Sequence, residues 1–480
     1  MRAPHPHRQW AVRGSTAVFA AMALATSLQA AVTGAQATTG AQATTRPSAV
    51  SNPYSPAYQH AYRHGVIPTV SQLAKMHRWA SSHPQVQLAA SNLRYGGGID
   101  GIGVTTGAEK VYLVFYGSQW GTQGTDGNGN VTLSGDPSGA APYLQQMFKG
   151  LGGGGELWSG VMTQYCDGVA VGAQSCPASN NAHVAYPTGG ALAGVWVDES
   201  TASPNQATAF QLGTEAVNAA AHFGNTTAAA NRDAQYVIMS PTGTHPDGFN
   251  TPSGGFCAWH DWNGDAYVGV SSPYGDIAFT NSPYVTDLGP SCGSNFVNSG
   301  AAGAKDGISI VEGHEYAETI TDQNPAGGWT DSGGAENGDK CAWITPGTPG
   351  GAADLALPTG TVAMQTTWAN DGAGGSGTCE FSHPIVSNGG SGNTVTVTNP
   401  GNQSTTRNTA VSLQIVASDS ASGQTLTYGA TGLPRGLSIN SSSGLISGTP
   451  TKTGTSSVTV TATDTTGASG SAGFTWTIHR

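Results

Sequence analysis

The sequence predicts an α/β (or α+β) main domain with a mixed sheet and a carboxylate-rich His-Glu helix, followed by a C-terminal all-β sandwich. Three observations predict it. Runs of β-branched and aromatic residues alternate with helical spacing over residues 110–239. A histidine and several acidic residues recur at helical spacing over residues 306–322. From Asn393 the texture changes to Thr, Ser, Val and Gly, with no cysteine.

In the main domain, placed over residues 92–386, KVYLVFY (110–116) favours a buried strand and ends at Gly117. Residues 191–197 and 234–239 read the same way. Between them Pro204 opens a helix in which Phe210, Leu212, Ala216, Ala219, Ala220 and Phe223 keep roughly helical spacing. Upstream, Val70, Leu73, Met76 and Trp79 have helical spacing, closed by Ser82-His83-Pro84. That helix is either part of a prosegment or an ordinary N-terminal helix packed on the main domain.

The chain starts with Arg2, Arg8 and Arg13, a short apolar run over 18–28 and small residues through Ala37, the order of a secretory signal peptide over 1–37. The apolar run is shorter than the ~20 residues that span a bilayer. No lipidation motif or hydrophobic tail is found, so a secreted protein without a membrane anchor is expected. Residues 38–91 form a linker and the candidate prosegment, with GAQATT repeated at 34–39 and 40–45 in a stretch expected to be disordered.

Charged residues make up 9% of the chain, Gly reaches 70 residues, and the net charge is −11. An acidic surface repels phosphate backbones, which excludes nucleic acid as a partner. Six cysteines in an exported chain imply disulfides. Pairing by neighbour distance joins Cys166 with Cys176, Cys257 with Cys292, and Cys341 with Cys379, although six cysteines leave other connectivities open.

The chemistry concentrates in DGISIVEGHEYAETITD (306–322). Asp306 can cap the helix and Asn324-Pro325 stops it. Ile310, Gly313, Tyr316, Ala317 and Ile320 share one arc, and His314, Glu315, Glu318 and Asp322 the adjacent one. The simplest alternative is the solvated face of an amphipathic helix. Against it, Glu312, Glu315, Glu318, Asp322, Asp331, Glu336 and Asp339 crowd seven of 28 acidic residues together without an intervening Lys or Arg. Clustered carboxylates need a cation or must take up protons. His314 and Glu318, four apart, could ligate a divalent metal, with Glu315 as general base and Glu336 or Asp339 as third ligand. Zinc is the first choice. Glu318 stands where zinc peptidases carry a second His, which leaves calcium or manganese open.

A second cluster is FCAWHDWNGD (256–265). Asp261, Asn263 and Asp265 imitate a calcium loop, but Ala266 replaces the required Gly and the closing Glu is missing. His260 is the better candidate, as a ligand contributed from elsewhere in the fold, or else a structural histidine.

Beyond a link at 387–392, TVTV (394–397), VSLQI (411–415), LTY (426–428), LSI (437–439) and VTVTA (458–462) are short strands separated by turn residues, the spacing of a sandwich of about seven strands. LTYGATGLPRGLSI (426–439) followed by GLISGTP (444–450) resembles immunoglobulin-like modules related to dystroglycan-type cadherin domains, over residues 393–480. That resemblance implies a spacer or adhesive role.

KVYLVFYGSQW (110–120), FCAWH (256–260), GHEYAETITD (313–322), Trp329 and ENGDKCAW (336–343) together resemble the exordium-like, or phosphate-induced-protein-like, secreted family over residues 100–382. The resemblance implies an extracellular protein associated in plants with growth responses, and brings no settled activity. His314, Glu315, Glu318, Glu336, Asp339 and Cys341 match its signature positions.

The leading expectation is a secreted metal-dependent hydrolase, foremost a peptidase, acting on an extracellular polymer, peptide or glycan. The alternative is a non-catalytic extracellular binding or adhesion protein with a structural calcium or zinc. Two-carboxylate glycoside hydrolysis is a third reading. No Gly-x-Ser-x-Gly elbow occurs, which disfavours a serine triad.

Overall fold

The computed structural model describes residues 52–83, 92–177, 180, 182–386, 395–419, 425–464 and 469–480. The expected signal peptide, the GAQATT repeats and the link at 387–392 lie outside the described residues.

Six strands form the central sheet: β1 (His64–Pro68), β2 (Lys110–Tyr116), β3 (Leu192–Asp198), β4 (Ala234–Met239), β5 (Phe256–Trp262) and β6 (Ala278–Ser282), in the order β1-β5-β6-β4-β2-β3. The pairs β6-β4, β4-β2 and β2-β3 are parallel, while β5 runs antiparallel to both β1 and β6. The sheet is therefore mixed. β4 and β5 are buried at every residue, as strands covered on both faces must be.

Four longer helices accompany it: α1 (Val70–Ser82), α2 (Ala140–Gly150), α3 (Ala209–His222) and α4 (Asp306–Thr321). Pro204 does not open α3. Thr208 and Gln211 form a capping box, so each satisfies a backbone N–H at the helix start, and the boundary falls there instead. Asp306 does not cap α4 either. Lys305 holds the N-cap position, and the Asp306 carboxylate accepts from the backbone N–H of Val297 (2.8 Å) and Asn298 (2.6 Å), tying down the preceding loop.

The amphipathic reading of α4 is overturned: all sixteen residues are buried. The helix runs between the β1/β5 side of the sheet and a hairpin of Ala353–Leu357 and Gly360–Met364. Gly313 permits that approach, since a β-carbon there would lie 2.5 Å from Met364 Cε. The carboxylate arc consequently faces the interior, not solvent.

Disulfides join Cys166 to Cys176, Cys257 to Cys292 and Cys341 to Cys379, the pairing by neighbour distance. Cys257 lies within β5, and Cys341 follows the acidic loop after α4, so two of the bridges brace segments that carry candidate ligands.

The C-terminal region is all β. One sheet contains Gln403–Thr406, Ser469–His479, Gly454–Thr463 and Thr427–Thr431; another contains Val411–Gln414, Leu445–Gly448 and Leu437–Ile439; Val395–Val397 pairs with Ala417–Asp419. That makes nine strands among the described residues against the seven expected. Alternate residues turn inward, and Ile446, Val458, Val460, Phe474, Trp476 and Ile478 form a core separate from that of the main domain.

Candidate metal centre

Side chains four apart on a helix project to the same side, so α4 presents His314 and Glu318 together. Nε2 of His314 lies 3.0 Å from Glu318 Oε2 and 3.9 Å from Asp339 Oδ1. Asp339 arrives on the loop after α4, where its backbone N–H donates to Glu318 Oε1 at 2.7 Å. Ligand atoms of His314, Glu318 and Asp339 all lie within 4.8 Å of one another. A second trio, His260, Glu315 and Glu318, meets the same criterion, so Glu318 belongs to both. His260 comes from β5, and its Nε2 is 3.1 Å from Glu336 Oε2. The structure thus brings together His260, His314, Glu315, Glu318, Glu336 and Asp339.

The imidazole of His314 is oriented from behind. Gln365 Nε2 donates to the carbonyl of Gly338 at 2.9 Å, which leaves Gln365 Oε1 to accept from His314 Nδ1 at 3.2 Å. That arrangement turns Nε2 toward Glu318 and Asp339 as the available ligand atom.

Electrostatics show what the cluster lacks. Burial, then Glu318 and Glu312, push the Glu315 carboxyl well above its ordinary range. The Ile67 backbone N–H pulls it back slightly, but neither Glu315 oxygen receives a hydrogen bond of good geometry. Burial and the neighbouring acids Asp322 and Glu318 likewise raise Glu336. Burial opposes charge on His314, yet Glu318 and Asp339 raise it to about 9, so without a cation the ring holds a proton that a bound cation would have to displace. Burial lowers His260 well below its usual value, with His64 and His314 adding to the effect, which keeps the ring neutral as a metal ligand must be. Protons or a cation must offset these carboxylates. Two imidazoles among oxygen donors fit zinc or manganese better than calcium, which prefers all-oxygen shells.

Access is closed. His260, His314, Glu315 and Glu318 are 0% exposed, and only Asp339, with 20% of its side chain exposed, reaches solvent. The cover is β1. Gly65 places its carbonyl 3.2 Å from His314 Nε2, and its bare α-carbon faces Glu318 and His260, where a β-carbon would collide with both. A cavity of about 290 Å³ bordered by Tyr165, Trp329 and Asn370 involves none of the cluster residues.

Sequence reasoning missed His64 and Gly65. His64 forms a further trio with Asp261 and Asp265. Its signal was weak, a lone histidine in a region read as a linker. Residues 261–265 do not form one calcium loop: Asp261 lies within β5, Asn263 bonds to Val270 and Ile277, and Asp265 accepts from the N–H of Tyr267, so only Asp261 and Asp265 meet, beside His64. Asp322 and Asp331 belong to none of these candidate ligand trios. Asp322 accepts from Ala326 and Gly328 N–H groups, Asp331 from those of Gly333 and Ala335, so both shape turns. Glu312 accepts from Ser282 Oγ at 3.0 Å.

Residues 393–479 match the family model described as "Putative Ig domain", which makes the C-terminal module immunoglobulin-like. Over 85 residues the chain is 39% identical to the serine-rich adhesin for platelets of Staphylococcus aureus, a stretch that is 18% of this chain and only 4% of the adhesin. Mouse cadherin-23 EC22-24 aligns over 25% of this chain and 34% of its own, at 21% identity and a TM-score of 0.17. Drosophila N-cadherin EC1-4 aligns over 25% and 27%, at 15% identity and a TM-score of 0.16. Scores this low establish no shared fold. No helix among the described residues is long and apolar enough to cross a membrane.

Proposed function

We propose that the protein is an extracellular binding protein whose main domain is built around a divalent cation and whose immunoglobulin-like module engages an extracellular polymer or surface. Glu315 is the observation that carries the cation. It is 0% exposed, its carboxylate has no well-formed hydrogen bond, and it sits beside Glu318 with a neutral His260 completing the trio. Zinc is the first choice and manganese the second, because the donors mix nitrogen and oxygen. The family match and the 39% identity to an adhesin segment support the binding role of the C-terminal module. The likeness of residues 100–382 to exordium-like proteins is consistent with an extracellular setting and adds no activity.

A second reading, hydrolysis of peptide bonds at the same centre, is favoured by one arrangement. His314, Glu318 and Asp339 form one trio while Glu315, adjacent in sequence to His314, stands next to it without a fixed partner. A cation there would supply Lewis acidity. Glu315 would take the proton of an attacking water, the task of a general base, and the Gln365 contact would hold His314 in place.

Metal analysis after exhaustive dialysis tests the first reading. Stoichiometric zinc or manganese is expected in the wild type and is expected to be lost in His260→Ala. A dialysed protein that holds no metal and whose melting temperature does not respond to added zinc would overturn it.

A further inference from the structure

We propose that residues 52–83 are an inhibitory prosegment, with β1 lying across the cluster in the place of an extended peptide substrate. The proposal rests on the hydrolytic reading above and adds to it the substrate class and the means of latency.

β1 is an edge strand held to β5 by antiparallel pairing, with His64 opposite His260, Ile67 opposite Ala258 and Pro68 opposite Phe256. Strand addition to a sheet edge is a general mode of peptide recognition, because the backbone supplies the affinity whatever the sequence. The register is irregular between His64 and Ile67. Such a bulge turns peptide units out of the ladder. At that point the Gly65 carbonyl oxygen points at His314 Nε2, 3.2 Å away. In a hydrolase this is where the carbonyl to be polarised has to enter. The glycine is required, since any side chain would strike Glu318 and His260, and Val66 and Ile67 immediately after it are buried. The seat therefore selects an extended peptide with glycine over the cluster and apolar residues following.

The segment's other attachments combine apolar contacts of Ala57, Tyr62, Val70 and Leu73 on the main-domain core with a set of polar ones. Arg63 Nε pairs with Asp247 Oδ2 at 2.7 Å, its Nη2 donates to the Asp247 carbonyl, and its guanidinium stacks 4.7 Å from the Phe256 ring centre. Tyr62 donates its hydroxyl proton to Asp247 as well, and Trp343 Nε1 donates to the Pro68 carbonyl at 2.6 Å. α1 has no fully buried residue, unlike a helix that belongs to a domain core. Taking the segment away would leave β5 as a free edge running past His260, with the cluster uncovered beside it.

The test uses the full chain carrying a specific protease site between His83 and Asn92, loaded with zinc, with and without Arg63→Ala to loosen the latch. Three quantities are read before cutting and after the segment is stripped: zinc exchange to a chelator, binding of a fluorescent peptide of residues 60–69, and cleavage of a quenched peptide with glycine before two apolar residues. The proposal expects the uncut protein to exchange zinc slowly and bind no peptide. The stripped protein should exchange zinc at least about tenfold faster, bind the peptide and cleave the substrate. Equal cleavage by uncut and stripped protein would overturn the latency and leave the hydrolytic reading standing. Peptide binding and fast exchange without cleavage would overturn the hydrolytic reading while keeping the seat. If circular dichroism shows that stripping unfolds the main domain, or if the stripped, folded protein binds no peptide, the segment is structural and the proposal fails.

Discussion

Gly65 lies so close to Glu318 that nothing larger than hydrogen fits between them, and the strand carrying Gly65 comes from a region 249 residues away in sequence from the His314 it also contacts. Gly65 has φ +50°, a conformation that side chains disfavour. Gly65→Ala is therefore expected to destabilise the protein by roughly 1–3 kcal/mol and to loosen β1. Urea unfolding measures it, and a wild-type midpoint would show that β1 is not seated on the cluster.

Glu318 is shared by both ligand trios, whereas Glu315 belongs to one. Glu318→Gln should lower bound zinc. If the centre hydrolyses peptides with the cation held by His314, Glu318 and Asp339, Glu315→Gln should leave zinc and fold in place and reduce turnover by at least ~10²-fold; if the cation sits in the His260, Glu315 and Glu318 trio, Glu315→Gln should lower bound zinc as well. Zinc lost from Glu315→Gln would make Glu315 a ligand and remove the general-base assignment; zinc kept in Glu318→Gln would remove the ligand assignment.

Glu109 accepts a hydrogen bond from the Tyr316 hydroxyl inside the core. Burial raises its pKa from 4.5 to about 8, Tyr316 restrains the shift, and Asp233 and Glu156 add to it. A carboxyl whose folded value is raised binds its proton more tightly folded than unfolded. Stability is then lost as pH rises between 4.5 and about 8, and is level outside that window. Glu109→Gln should flatten this part of the stability curve, measured by chemical denaturation across pH. An unchanged slope would place the pH dependence elsewhere.

Cys341 is buried two residues after Asp339 and bridges to Cys379, 38 residues on. Replacing Cys379 with Ser should cost roughly 2–4 kcal/mol by freeing that loop, and should weaken zinc binding because Asp339 loses its anchor. Calorimetry reads both. Weakened stability with unaltered zinc affinity would separate the bridge from the site.

The module at 393–480 has its own core and should fold alone. Expressed by itself it is expected to melt cooperatively with a β-type circular dichroism spectrum; a fragment with no transition would refute the boundary.

Local order was legible in the residues. KVYLVFY reads as a strand and is one, as is 234–239, because β-branched and aromatic side chains suit a buried pleated surface whatever lies beside it. The 458–462 run lies inside a longer strand, Gly454–Thr463, since pairing with Ser469–His479 extends it past its apolar part. The shift of the α3 start from Pro204 to Thr208 is a local signal misread: Thr208-x-x-Gln211 satisfies helix-end donors and Pro204 does not.

The sequence by itself determined that His314 and Glu318 point the same way, because helical periodicity depends on spacing alone, and that the chain carries an immunoglobulin-like module at its end. Only the tertiary structure decided what that face of α4 meets. A helical wheel says which side chains are neighbours and is silent on what covers them; only the crowding of carboxylates without Lys or Arg argued against solvent. His260 and Gly65 reach the cluster through sheet pairing, β5 beside β1, and such pairing is set by packing across long stretches of chain rather than by any local pattern. The enclosure of the carboxylates, and with it their need for protons or a cation, follows from that packing.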